Sequence, residues 1–142
     1  SIAENISPNT LVVYDYEDGT VHSASNQAEI SVSDERAYGG EKALKAQCNA
    51  DWVGLIGYTG LDLSDERFTK ISFYIYIVAD EGTGWVTPFY DDLDPSSGKP
   101  QSVATNTWVK VEIEKSAYSG KTIAVNATNL TAFYIYDIVL DA

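Results

Sequence analysis

Hydrophobic and polar positions alternate along most of this chain with a period of two, the period of a strand, whose successive side chains leave on opposite faces. In "ISFYIYIVAD", residues 71–80, Ile71, Phe73, Ile75 and Ile77 take one face and Ser72, Tyr74 and Tyr76 the other. Similar runs predict strands at 11–17, 28–33, 42–48, 51–58, 70–79, 84–90, 107–115, 121–125 and 132–141. Between them "AYGGE", "GYTG", "DEGTG" and "DPSSGKP" read as turns, and Asp18-Gly19 ends the first strand. No window holds a helical period, and β-branched and aromatic residues dominate the runs. The exception is a single helical turn expected at 64–68, where Ser64 could cap and Asp65 and Glu66 favour the N-terminal end. The expected fold is all-β, a sandwich of two antiparallel sheets or a closed barrel, with the sandwich favoured.

Two features stand out against this alternation. Tyr74 and Tyr76 occupy a strand face where small or charged residues would be enough. The tetrapeptide "FYIY" occurs at 73–76 and again at 133–136, followed by Ile77 in the first copy and by Asp137 in the second. Alternation puts Asp137 with Phe133, Ile135 and Val139. A carboxylate on such an apolar face must be paired, hydrogen bonded or coordinated.

Composition narrows the function. A chain of 142 residues is long enough for one domain, 1–142, and 44% hydrophobic content excludes a disordered tail. No apolar run approaches the roughly 18 residues of a membrane helix. The opening at Ser1 without a signal-like segment is expected of a mature product or an excised module. Nine basic against 21 acidic side chains give a formal charge of -12, which repels phosphate backbones and anionic headgroups. No nucleic acid and no membrane partner is therefore expected. Neutral or cationic ligands fit, and polyanionic sugars do not unless a bound cation inverts the local field. The single Cys48 excludes an internal disulfide and a cysteine zinc site, and reads as a buried small residue. His22, the sole histidine, excludes multi-histidine metal sites and reads as an exposed loop residue. With no nucleophile-elbow glycine pattern either, no enzyme is expected. Sequons stand at Asn5, Asn126 and Asn129.

"VVYDYEDGT", "AYGGEKALKA" and "FYIYDIVLD", with "WVGLIGYTGLDLSDERFTKISFYIYI" between them, together resemble the β-jelly-roll carbohydrate-binding modules of bacterial polysaccharide-degrading enzymes. The resemblance spans nearly the whole chain. It implies a structural calcium tying the first strand to the last through Glu17, the carbonyl of about Lys42, and Asp137, with Asp15 as a possible further ligand. Carboxylates and carbonyls suit that hard cation. Where many such modules carry two acidic residues near the end of the last strand, this chain has Tyr136-Asp137. The competing reading is a set of acids on a solvated edge or paired with Lys or Arg.

The resemblance also implies a glycan site on one sheet face or at the loop end. Aromatic rings can stack on sugar faces there while polar groups bond the rims. Tyr74 and Tyr76 would form the platform. In "DWVGLIGY", with Val53 and Leu55 as core, Trp52, Ile56 and Tyr58 turn outward and Gly54 leaves room for a ligand. In "GWVTPFYDD", Trp85 shares a face with Thr87 and Phe89, and Trp85 and Tyr90 are expected to contribute through a loop or bulge. Asp92, in a solvated turn that lacks the glycine and glutamate of an EF-hand, could meet sugar hydroxyls. Against this, each aromatic could simply pack, as Trp108 is expected to. The resulting expectation is a non-catalytic module, secreted or on the cell surface. It would be a monomer within a larger multi-domain enzyme and bind a neutral plant-wall polysaccharide such as xylan, β-glucan or mannan. The alternatives are an adhesive protein-binding sandwich and a small jelly-roll hydrolase or lyase.

Overall fold

The computed structural model describes residues 9–50 and 52–142, so the sequon at Asn5 and the first residue of the strand expected at 51–58 lie outside the described residues. Among the described residues eleven strands are formed: β1 (Thr10–Tyr14), β2 (Ser23–Ala24), β3 (Ala28–Ser33), β4 (Ala43–Cys48), β5 (Val53–Tyr58), β6 (Lys70–Val78), β7 (Thr83–Tyr90), β8 (Gln101–Ala104), β9 (Trp108–Glu114), β10 (Thr122–Asn126) and β11 (Ala132–Asp141). Nine match the expected runs closely. The short β2 and β8 carry too few residues to show a period. The segment expected to form a helical turn is instead a hydrogen-bonded turn, in which the Asp65 carboxylate accepts the Arg67 amide at 3.1 Å and the Asp65 carbonyl the Phe68 amide at 3.3 Å. Asp thus competes with the helix from its own side chain.

The strands form two antiparallel sheets in a β-sandwich. The first, sheet A, runs β3-β4-β11-β6-β9; sheet B runs β2-β5-β10-β7-β8. From β4 to β7 and again from β8 to β11 the chain crosses between the sheets at every step, the jelly-roll habit. β11 is shared along one edge: its first half pairs with β4 and its second half with β1.

Both inner faces close one core. Ile71, Phe73, Ile75 and Ile77 of β6 are fully buried, as the alternation predicts, and meet Phe133 and Ile135 of β11 and Ile56, Val86, Phe89, Ile123 and Val125 of sheet B. Each such side chain contributes about 1.5–3 kcal/mol on removal from water. Tyr16 and Tyr58 share this core by an hydroxyl to hydroxyl bond of 3.0 Å.

Two bulges reset the alternation. In β7 three residue steps, Thr87 to Tyr90, oppose two steps of β10, and Phe89 takes φ 49°. In β11 the steps from Tyr136 to Val139 oppose only those from Tyr74 to Ser72, and Asp137 takes φ 45°. An extra residue of this kind bends a strand and re-aims its side chains. Beyond the second bulge Ile138 and Leu140 enter the core and Val139 leaves it, so the placement of Asp137 on the Val139 face by simple alternation is corrected.

Candidate functional site

Because Ile56, Ile123, Val125 and Val86 point inward, their neighbours Leu55, Gly57, Thr122, Ala124, Asn126, Trp85 and Thr87 form the outer face of sheet B. The register sets Leu55 opposite Ala124, Gly57 opposite Thr122, Ala124 opposite Thr87 and Asn126 opposite Trp85. Around Leu55 and Trp85 these floor residues are small, and the face has a cavity at each end. One, of about 480 Å³, is lined by Trp52, Glu81, Thr83, Trp85, Asn126 and Thr128. The other, of about 390 Å³, is lined by Ser25, Asn26, Leu55, Asp92 and Thr122. From Asn126 to Thr122 is four strand steps, roughly 13 Å.

Trp52 and Trp85 are 61% and 50% exposed. Trp52 stands just before β5, where its carbonyl accepts the Ala127 amide at 3.1 Å and fixes it beside the end of β10. A large ring kept in water at a concave site is the arrangement that stacks on a flat ligand. At the other end the Tyr90 phenol has its pKa raised by burial and then by the Asp92 carboxylate.

Several expectations for this face are corrected. Val53 and Leu55 point out rather than in, whereas Ile56 and Tyr58 are buried, Tyr58 to 3% exposure. Gly54 serves the interior: a Cβ there would stand 2.8 Å from Phe133 and 2.9 Å from Cys48 Sγ, so it makes room for Phe133 and not for a ligand. Phe89 leaves the face of Trp85 because of the bulge, and Tyr90 is largely buried. Tyr58 and Tyr90 therefore have little surface to offer a sugar. Glu81, Thr83, Asn126, Thr128, Ser25 and Asn26 were not foreseen. They lie in turns or at strand ends, where alternation carries no signal, and only the Asn126 sequon marked one of them.

Tyr74 and Tyr76 do point outward, but from the opposite sheet. On the outer face of sheet A they join Tyr134, Tyr136 and Trp108, and the loop between β3 and β4 folds over them. Tyr38 stacks on Tyr74 with ring centres 3.7 Å apart, and the Arg36 guanidinium lies 4.5 Å from the centre of Tyr76 and 5.2 Å from that of Tyr134. Glu35 accepts the Tyr134 hydroxyl at 3.1 Å and Lys45 at 2.6 Å. Trp108 meets Tyr76 edge-on at 5.6 Å, a packing role like the one expected of it. The tyrosines hold a loop. The residues expected to form one ligand platform are thus divided between two opposite faces, with Trp52, Trp85 and Asp92 together on sheet B.

The acids that follow the first strand do come near the acid of the last. Asp137 has a left-handed backbone, and its Oδ1 is buried without a hydrogen-bond partner. Burial, then the Asp15 and Glu17 carboxylates, push its pKa up to about 6. Glu17 reaches the Gly39-Gly40 hairpin, where its Oε1 accepts the amides of Glu41 at 3.0 Å and Lys42 at 3.4 Å. A Cβ on Gly40 would lie 2.0 Å from that oxygen, so glycine is required for this approach. Among the described residues no three carboxylate, histidine or cysteine side chains group to hold a metal alone. A cation here would need backbone oxygens as well, which calcium accepts. The orphaned, destabilised carboxylate of Asp137 fits such an ion.

His22 is half-buried rather than exposed. It stacks on Tyr14 at 4.0 Å and 7° and lines neither cavity. Cys48, partly buried, has its thiol pushed up to about 11 by burial, the state of an inert structural cysteine.

No family model matches the chain, and no curated protein does. Solved structures do. The family 11 carbohydrate-binding module from Clostridium thermocellum, in complex with a β-1,3-1,4-mixed-linked tetrasaccharide, is similar over 94% of this chain and 96% of its own, with TM-score 0.60 and 17% identity. The CBM22-1 xylan-binding domain from Paenibacillus barcinonensis is similar over 90% of both chains, with TM-score 0.53 and 18% identity. The C-terminal family 22 module of a Clostridium thermocellum protein matches over 92% and 94%, with TM-score 0.56 and 15% identity. Sheet by sheet, this chain has the β-jelly-roll fold of the carbohydrate-binding modules.

Proposed function

We propose that this protein is a non-catalytic carbohydrate-binding module that takes a neutral β-glycan chain of plant walls, of the xylan, β-glucan or mannan kind, along the outer face of sheet B. The observation that carries the reading is the pair of exposed tryptophans, Trp52 and Trp85, lining one cavity of this face. Trp rings would cover the apolar faces of the sugars, and Asn126, Thr128, Asn26 and Asp92 would meet their hydroxyls. Neighbours in fold include a xylan-binding domain and a module in complex with a mixed-linkage tetrasaccharide, which agrees with this choice. The cavity carboxylates Glu81 and Asp92 belong to different ends of the face, so no pair flanks a single glycosidic bond as hydrolysis requires. The reading includes an extracellular setting, a monomer, and an attached enzyme whose local concentration on its substrate the module raises. It also includes calcium held by Glu17, Asp137, Asp15 and the Lys42 carbonyl, which would join β1, the β3–β4 hairpin and β11. An adhesive role is disfavoured because the tyrosine face that would serve it is occupied by the chain's own loop.

The test is affinity electrophoresis against a panel of soluble polysaccharides, with and without calcium. Retardation by a neutral β-glycan that is lost in Trp85→Ala is the expected result. No retardation by any glycan would overturn the reading in favour of a protein partner, and reducing-sugar release by clean protein would overturn its non-catalytic part.

A further inference from the structure

Charge is not spread evenly over the sandwich. Four of the nine basic side chains, Arg36, Lys45, Lys70 and Lys110, gather on the outer face of sheet A, where Lys45 pairs with Glu35, and Lys70 and Lys110 with Glu112. None of the nine lines either cavity on sheet B. Acids instead flank both ends of β7, Asp80 and Glu81 before it and Asp91, Asp92 and Asp94 after it. Three of these are already engaged: Asp80 accepts the Asn129 side-chain amide of the β10–β11 turn at 2.8 Å, and within their own turn Asp91 accepts the Leu93 amide at 2.9 Å and Asp94 the Ser96 hydroxyl at 2.5 Å. The carboxylates of Glu81 and Asp92, the two that line the cavities, have neither a hydrogen-bond nor an ion-pair partner among the described residues, although the Glu81 carbonyl accepts the Thr105 hydroxyl. The remaining lining side chains are tryptophans, amides, hydroxyls and small apolar groups.

We propose that the groove binds a β-linked glycan bearing free amines, a glucosamine-type chain, more tightly than the neutral chain of the same length. This rests on the reading of the sheet B face as the glycan site and adds the class of sugar it selects. Three features converge on an ammonium group. Each end of the groove offers one unpaired carboxylate, so a chain with an amine on every sugar meets an opposite charge at both ends at once. The exposed faces of Trp52 and Trp85 are electron-rich and attract cations as well as sugar rings. The net charge of -12, with no basic side chain lining either cavity, concentrates cations at the groove and disfavours acidic sugars.

The experiment is calorimetric titration at about pH 6, where ordinary carboxylates are ionised, with three linear oligosaccharides of one length and linkage: fully amine-bearing, fully N-acetylated, and hydroxyl-bearing. The amine form should bind up to about fivefold tighter per carboxylate engaged than the hydroxyl form, and the advantage should shrink as salt is added. The double variant Glu81→Gln, Asp92→Asn should bring the two forms to equal affinity, and Trp85→Ala should weaken both. Equal affinity of amine and hydroxyl forms for the unaltered protein would overturn the selectivity and leave the groove reading standing. Amine-chain binding that survives Trp85→Ala unchanged would mean diffuse attraction to an acidic surface and would also overturn it. Binding of none of the three would remove the groove reading itself.

Discussion

Truncating one aromatic on each face separates the two roles assigned to the rings. Trp85 is half-exposed, points away from the core and belongs to no buried cluster, so Trp85→Ala should change stability by about 0.5 kcal/mol or less. If it is a stacking anchor, its loss should cost about 2 kcal/mol of binding, roughly 30-fold in affinity. Tyr76→Ala should do the reverse. Its ring carries the Arg36 guanidinium at 4.5 Å and meets Trp108 at 5.6 Å and Tyr134 at 6.4 Å. A partly desolvated cation contact of about 1 kcal/mol and two aromatic pairs of about 0.5–1.5 each give a loss of roughly 2–4 kcal/mol. The assay is urea unfolding of both variants beside affinity electrophoresis with the retarding glycan. The assignment fails if Tyr76→Ala abolishes retardation at unchanged stability while Trp85→Ala binds normally. That outcome would move the site to sheet A and make the β3–β4 loop a removable cover.

Chelation of calcium should lower the melting temperature by several degrees, since an ion bound at 100 times its Kd stabilises by about 2.7 kcal/mol; an unchanged midpoint by calorimetry would remove the ion from the account. In calcium-free buffer the raised pKa of Asp137, to about 6 against about 4 unfolded, makes a contribution fully present below pH 4 and lost as pH rises through 6. Discounted for half-exposure, that is roughly 1–2 kcal/mol less stability at pH 7 than at pH 4 from this group. Asp137→Asn, followed by chemical denaturation across this range, should flatten the dependence and abolish the response to calcium; a variant whose slope matches the parent would refute the cause. Gly54→Ala should destabilise by about 1–3 kcal/mol through crowding of Phe133 and Cys48, with glycan affinity retained in the folded fraction; lost affinity in a fully stable variant would return Gly54 to the binding face.

The sandwich was legible because alternation reports burial wherever a strand is regular. β6 has no bulge, so Ile71, Phe73, Ile75 and Ile77 were assigned correctly and both tyrosines were rightly turned outward. What alternation does not report is which of the two outer faces is concave or covered, since that depends on loops. The segment Glu35-Arg36-Ala37-Tyr38 reads as a polar turn, yet it occupies the tyrosine face through one cation contact and one ring stack. In β5 every residue is apolar or glycine, so "VGLIGY" offers no polar position from which to fix the phase. Reading Val53 and Leu55 as core therefore has no polar residue to contradict it. The small Gly54 in fact belongs inside, because Phe133 fills its place.

The bulges explain both the remaining errors and the case for a cation. A left-handed backbone costs a bulky L-residue about 1–2 kcal/mol, and it is adopted by Phe89 and Asp137 at the two bulges and by Tyr16 just past β1. For two of them the offset is visible. Tyr16 and Phe89 are fully buried rings, and burial of a ring of that size contributes about 1.5–3 kcal/mol, while Tyr16 also bonds Tyr58. Asp137 has no such return: its Oδ1 is buried and unsatisfied, and two further carboxylates raise its energy. Left alone, this conformation should relax, or the residue should be the asparagine that tolerates it without charge. On the proposed reading the acid kept there would answer to a calcium ion, which would neutralise charge on Asp137, Asp15 and Glu17 while offering coordination to carbonyl oxygens nearby.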